Sequence, residues 1–162
     1  MIITIENMSF TSDMSLSAIL SCMTKVEMLK ICDKLELYVS PNLKKDETAR
    51  RLAQEILHSP DDVLHVLNKQ ELQIVDEFVQ AGPNKYVVRK SRKTYYKLQQ
   101  FGLVVTYIDK DSVEWRMLMP DSVRNVLASS YKVYLEMAEK GIKLPSKKML
   151  RLMSFSDYLN GL

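Results

Sequence analysis

The stretch that most constrains this chain runs from Asn84 to Met119. It reads NKYVVRKSRKTYYKLQQFGLVVTYIDKDSVEWRMLM and is fenced by Gly82-Pro83 on one side and Pro120-Asp121 on the other. Gly82-Pro83 ends the helix expected before it, and Pro120-Asp121 opens the one expected after it. Inside, β-formers recur in three places: Tyr86-Val87-Val88, Leu103 to Ile108, and Val113 to Met119. The polar run Asp109-Lys110-Asp111-Ser112 between the last two predicts a hairpin turn. In the return strand Val113, Trp115, Met117 and Met119 alternate with Glu114, Arg116 and Leu118. The first set is expected to face a core, the second solvent or a neighbour. Between the first strand and the hairpin, Ser91 offers a cap for a helix to about Phe101, which Gly102 would end. On that helix Tyr95, Leu98 and Phe101 would share one arc. Lys93, Tyr96, Lys97 and Gln100 would share the opposite one, facing water.

The rest of the chain reads as helices with local start and stop signals. Met1 to Ile5 is a short β-like run, and Ser12-Asp13 precedes a helix expected over Met14 to Met23. Thr24-Lys25-Val26-Glu27 is a capping box. After it Met28, Ile31, Cys32 and Leu35 fall on one helical face. A loop through Ser40-Pro41-Asn42 leads to a second helix from Lys44 or Lys45, with Ala49, Leu52, Ala53, Ile56 and Leu57 as its stripe. Ser59-Pro60-Asp61-Asp62 starts a short helix to Leu67, and Asn68 with Glu71 starts another to Ala81. Pro120-Asp121 opens what reads as the longest helix, to Lys140, and Met149 to Leu159 carries the pattern of a last amphipathic one. The chain is therefore expected to be mainly α with a small β-hairpin, of the α+β class. It divides into residues 1–23, 24–57, 58–119 and 120–162.

Two resemblances follow from these patterns. MTKVEMLKICDKLELYVSPNLKKDETARRLAQEIL, Met23 to Leu57, resembles the SAP-like helix–loop–helix also found at the N-terminus of transcription termination factor Rho. That resemblance implies that Lys44 and Lys45, at the loop end and second-helix start, meet nucleic acid. From Asn68 onward, the order helix, short strand, helix and hairpin resembles a winged-helix domain with an abbreviated middle. Many bacterial proteins resemble this layout, a SAP-like module followed by an acidic helix and a winged-helix-like end.

Charge distribution points the same way. The net charge is +3, but residues 58–83 hold one base against five acids, and residues 84–119 hold eight bases against three acids. Lys85, Arg89, Lys90, Arg92, Lys93 and Lys97 fall in thirteen residues without an acid. One reading is a solvated face neutralised by Asp76-Glu77. The other is phosphate contact, with Tyr96 available to stack and Gln100 beside it. The expected function is a small non-enzymatic nucleic-acid-binding module, for DNA or RNA, mostly electrostatic and weakly sequence-specific. Its expected site is Lys85, Arg89, Lys90, Arg92, Lys93, Tyr96, Lys97 and Gln100, with Lys44 and Lys45. The alternative is a scaffold that meets a protein partner or a second copy through residues 120–162.

No glycine-rich phosphate loop, paired His and carboxylate, GxSxG or HExxH is present, so no catalytic residue and no cofactor is expected. Cys22 and Cys32 lack CxxC spacing, and Pro60 lies between His58 and His65, so no metal site is expected either. The ten methionines read as core filling. With no signal peptide and no apolar span, a cytoplasmic setting without membrane contact is the expectation.

Overall fold

A computed structural model describes residues 2–4, 10–108, 111 and 113–144, the first three as backbone alone. The expected helix over Met149 to Leu159 lies outside the described residues, as does most of the hairpin turn. In chain order the elements are β1 (Ile2–Thr4), α1 (Leu16–Leu20), α2 (Lys25–Leu35), α3 (Lys45–His58), α4 (Pro60–Leu64) and α5 (Lys69–Ala81). Then come β2 (Val87–Lys90), α6 (Lys97–Gln100), β3 (Val105–Ile108), β4 (Glu114–Leu118), α7 (Asp121–Ala128) and α8 (Tyr131–Glu139). The class is mainly α with a small sheet.

The helix starts follow their side chains. Thr24 Oγ1 accepts from the Glu27 N–H at 3.1 Å, and the Glu27 carboxylate accepts from the Thr24 N–H at 2.9 Å. Asn68 and Glu71 repeat the exchange at 2.9 and 3.0 Å. Each box satisfies donors that a helix start otherwise leaves without partners. α2 closes on Glu36 in the left-handed conformation, φ 54°.

The sheet has the order β1-β3-β4-β2. β2 pairs antiparallel with β4, β4 pairs antiparallel with β3, and β1 adds to β3 in parallel. One hydrophobic core joins this sheet to the helices. Its largest members are Trp115, Tyr131, Phe78 and Phe101, with Met28, Leu35, Leu52 and Ile56 from α2 and α3. α5 packs on α7 and α8 and touches β2, so it sits between the helices and the sheet. Met28, Met117 and Met119 are buried, as core filling requires. Cys32 is buried too, and that burial, with Asp33 nearby, pushes its thiol pKa up. In the helix–loop–helix, Ile31, Leu35 and Leu52 are buried and Leu43 is half-buried against the same core.

Four expectations change. The helix expected from Ser91 to Phe101 is a single turn, Lys97–Gln100. The Ser91 N–H donates to the Val113 carbonyl at 2.7 Å, so the chain stays in the ladder where a cap was expected. The helix expected from Asp121 to Lys140 breaks at Ser129-Ser130. There Ser129 Oγ donates to the Val126 carbonyl at 2.9 Å, and Ser130 Oγ binds the Asp61 carboxylate at 3.0 Å. Such side-chain bonds compete with the helical ladder, and the bend lets Tyr131 bury completely. Ser12 does not cap α1, which begins after Ser15; it is fully buried and bonded to Asn84. Finally, Val113 is exposed and Leu118 buried, because both sheet faces are covered at the Leu118 end.

Candidate nucleic-acid interface

The basic run divides according to its surroundings. Lys85, Lys90 and Lys93 are exposed, on the turn before β2, at its end and in the loop after it. Arg89 is drawn down onto α5, where its guanidinium meets the Glu77 carboxylate at 2.6 Å. The same side chain donates to the Val88 carbonyl at 3.0 Å. The acidic helix thus neutralises one of the six bases directly. The second acid expected to do so, Asp76, instead accepts from the Tyr131 hydroxyl at 2.6 Å. That carboxylate and burial together raise the tyrosine's pKa, burial contributing more.

Arg92 is occupied locally. Its Nε donates to the Thr94 carbonyl at 2.7 Å, its Nη1 reaches Gln70 at 3.2 Å, and its guanidinium lies 4.1 Å from the Tyr96 ring centre. Lys97 is an internal strut. Its Nζ donates to the Val66 carbonyl at 2.6 Å and lies 3.8 Å from the buried Glu71 carboxylate, which also accepts the Lys97 backbone N–H. Glu71 therefore holds the starts of both α5 and α6.

Tyr96 and Gln100 complete the correction of the expected helical face. Tyr96 is buried, edge-on to Trp115 at 6.0 Å, and its N–H donates to the Gln99 side chain at 2.8 Å. Tyr95, expected to be the inward residue, is 46% exposed, with its ring tilted on Trp115 at 5.4 Å. Gln100 donates to the Tyr95 carbonyl at 2.9 Å and accepts from Lys34 at 3.4 Å. Lys93, Tyr96, Lys97 and Gln100 do not share a face, because extended backbone precedes Lys97. Lys44 and Lys45 are exposed at the start of α3, which packs on α1, α2, α4 and α7. They form a patch on a different element from Lys90 and the lysines that flank β2.

The register shows what the run alone did not. Val88 stands opposite Arg116, and Arg116 opposite Tyr107, so these three share one sheet face. Lys90 and Glu114 are the next row. Tyr86 joins that face, since its ring meets Tyr107 edge-on at 5.5 Å, and Phe10 packs on Tyr107 from another side at 5.8 Å. The Phe10 N–H donates to the Tyr107 hydroxyl at 3.1 Å. Burial nonetheless dominates and pushes the Tyr107 pKa up to about 12. The alternation Glu114, Arg116 already put Arg116 on the outer side of β4. Its alignment with Val88 and Tyr107 depends on strand pairing, which periodicity does not carry.

Among the described residues no group of three or more His, Cys, Asp or Glu side chains is placed to hold a metal ion. No helix among them is long and apolar enough to cross a membrane. What the fold and the surface define is a mainly helical protein whose small sheet carries an aromatic face and an edge strand with exposed lysines on and beside it. Compared with known proteins, the chain matches no family model, no curated protein and no solved structure.

Proposed function

We propose that this is a small, non-enzymatic nucleic-acid-binding module whose contacts are mostly electrostatic and weakly sequence-specific. The observation that carries the reading is the exposure of Lys85, Lys90 and Lys93 along β2 and its flanks, with Arg116 exposed on the neighbouring strand. Long exposed cations on a strand and its flanking turns suit phosphate contact, and phosphate contact carries little sequence information. Arg89, Arg92 and Lys97 are set aside from that role, because each has an internal partner. The winged-helix-like order of elements and the SAP-like Lys44-Lys45 patch support the same reading as a second, weaker contact.

Fluorescence anisotropy with a mixed-sequence oligonucleotide, titrated at several salt concentrations, tests it. Affinity should fall with salt, and removing each of Lys85, Lys90 and Lys93 should reduce the log–log slope by about 0.7–0.9. Absence of binding at low salt removes the proposal.

A second reading, a scaffold that meets a protein or a second copy through the C-terminal helices, draws on one feature. Val133 of α8 is 58% exposed and Ile142 just beyond it 52% exposed. Sizing across a range of protein concentrations would show it as a dimer that Val133→Lys dissolves.

A further inference from the structure

The proposed function rests on lysines, and lysines do not distinguish single strands from duplexes. The sheet beside them does. Tyr86, Val88 and Lys90 alternate onto one side of β2. Cross-strand pairing brings Arg116 and then Tyr107 level with Val88. Tyr86 is 44% exposed and Val88 42% exposed, while Leu118 and Val105, further along the sheet, are buried. The open part of the face is thus a bounded area: an aromatic ring, an apolar side chain and a planar guanidinium, with Lys90 in the next row and Lys85 exposed in the turn that precedes Tyr86.

We propose that this face is a stacking platform for single-stranded nucleic acid, with Tyr86 and the Arg116 guanidinium meeting bases and Lys85 and Lys90 meeting phosphates. The proposal rests on the nucleic-acid reading and narrows it to one ligand class. Three features of the face carry it. Tyr86 is held by its edge-on contact with Tyr107, so ordering it on binding costs little rotamer freedom. Arg116 offers a flat cation, which stacks on a base as an ammonium does not. The charge around the rings is positive, three bases against Glu114, which suits a phosphate chain and disfavours a basic peptide. A duplex presents its bases edge-on in the grooves and keeps their faces stacked, so it cannot use exposed rings in this way.

Anisotropy with a fluorescein-labelled mixed-sequence strand, single and annealed to its complement, decides the matter. The wild type should hold the single strand several-fold more tightly than the duplex. Tyr86→Ala should weaken single-strand binding by roughly five- to a hundredfold, leaving duplex binding and the salt slope unchanged. Tyr86→Phe should bind as the wild type does. Arg116→Lys keeps the charge and removes the plane, so it should also weaken the single strand. It becomes the deciding variant if Tyr86→Ala lowers the melting temperature. Equal or tighter duplex binding overturns the platform. So does an unaffected Tyr86→Ala protein in which Lys85→Ala, Lys90→Ala still loses affinity; phosphate binding then stands alone. A concentration-dependent dimer that Tyr86→Ala dissolves assigns the face to a second copy. Absence of binding to either nucleic acid removes both the platform and the function it rests on.

Discussion

Lys93 and Lys97 are four residues apart and both basic, and their surroundings give them different work. The Lys97 ammonium bonds the Val66 carbonyl and sits near a carboxylate that is almost wholly buried. Lys97→Ala should therefore cost stability, about 1 kcal/mol once its partial exposure is allowed for, and should leave the salt dependence of binding unchanged. Lys93→Ala should do the reverse, with stability within about 0.5 kcal/mol of wild type and a shallower salt slope. Urea unfolding alongside anisotropy separates the two. Sequence spacing could not, because the internal partners of Lys97 come from α5 and the segment before it, some thirty positions away. Tyr107 carries a second prediction at this scale. Its phenol ionises near pH 10 when unfolded and at about 12 when folded, so the folded state keeps a proton that the unfolded state releases. Its contribution to stability is complete below pH 10 and is lost as pH rises from 10 to 12. Tyr107→Phe should shallow that fall in denaturant midpoint. Tyr131, also raised, should keep part of it.

At the level of elements, what the sequence carries locally was readable and what depends on distant partners was not. The capping boxes at Thr24 and Asn68, the helix stop at Gly82 and the β3–β4 pair all follow from residues within a few positions of one another. The Ser91 helix fails because the Val113 carbonyl, just before the neighbouring β4, accepts the Ser91 N–H and keeps the chain extended alongside it. The long C-terminal helix breaks because Ser130 and Tyr131 find Asp61 and Asp76 on α4 and α5. The candidate site divides in the same way. Its basic character and the outward side of Arg116 were visible in composition and alternation, whereas the Arg89–Glu77 pair and the inward turn of Tyr96 required the fold. The inward placement of Trp115 was legible, and the ring is 2% exposed, against Tyr95 and Tyr96. Trp115→Ala should destabilise by about 3–5 kcal/mol, because it empties a site that β4 and the 95–96 loop both enclose. A thermal scan with an unshifted midpoint would contradict that packing.

Across the whole molecule, positive charge gathers on one strand and its surroundings while the helix behind it is acidic, so the surface is polarised more than a net charge of +3 suggests. A small polar clasp closes the neck of the sheet unit. The Ser12 N–H donates to Asn84 Oδ1 at 2.8 Å, the Asn84 N–H returns to Ser12 Oγ at 2.8 Å, and the Asp121 N–H donates to the Ser12 carbonyl at 2.7 Å. The side-chain bond to Ser12 also contributes most to lowering the Asp121 pKa. Asn84 adopts a left-handed φ of 57° to reach this contact. Asn84→Gly keeps that conformation available and deletes the amide, so it should cost about 1–3 kcal/mol through the buried Ser12 groups it strands. Ser12 thereby holds together the residue where the chain enters the sheet unit and the residue where it leaves. The whole stretch between them is a closed circuit that departs from the helices and returns at one point. A circuit pinned at its neck can breathe as a unit while the body stays shut. Amide hydrogen exchange should show this, with the protection of β2 and β4 falling together in Ser12→Ala and that of α2 and α3 holding.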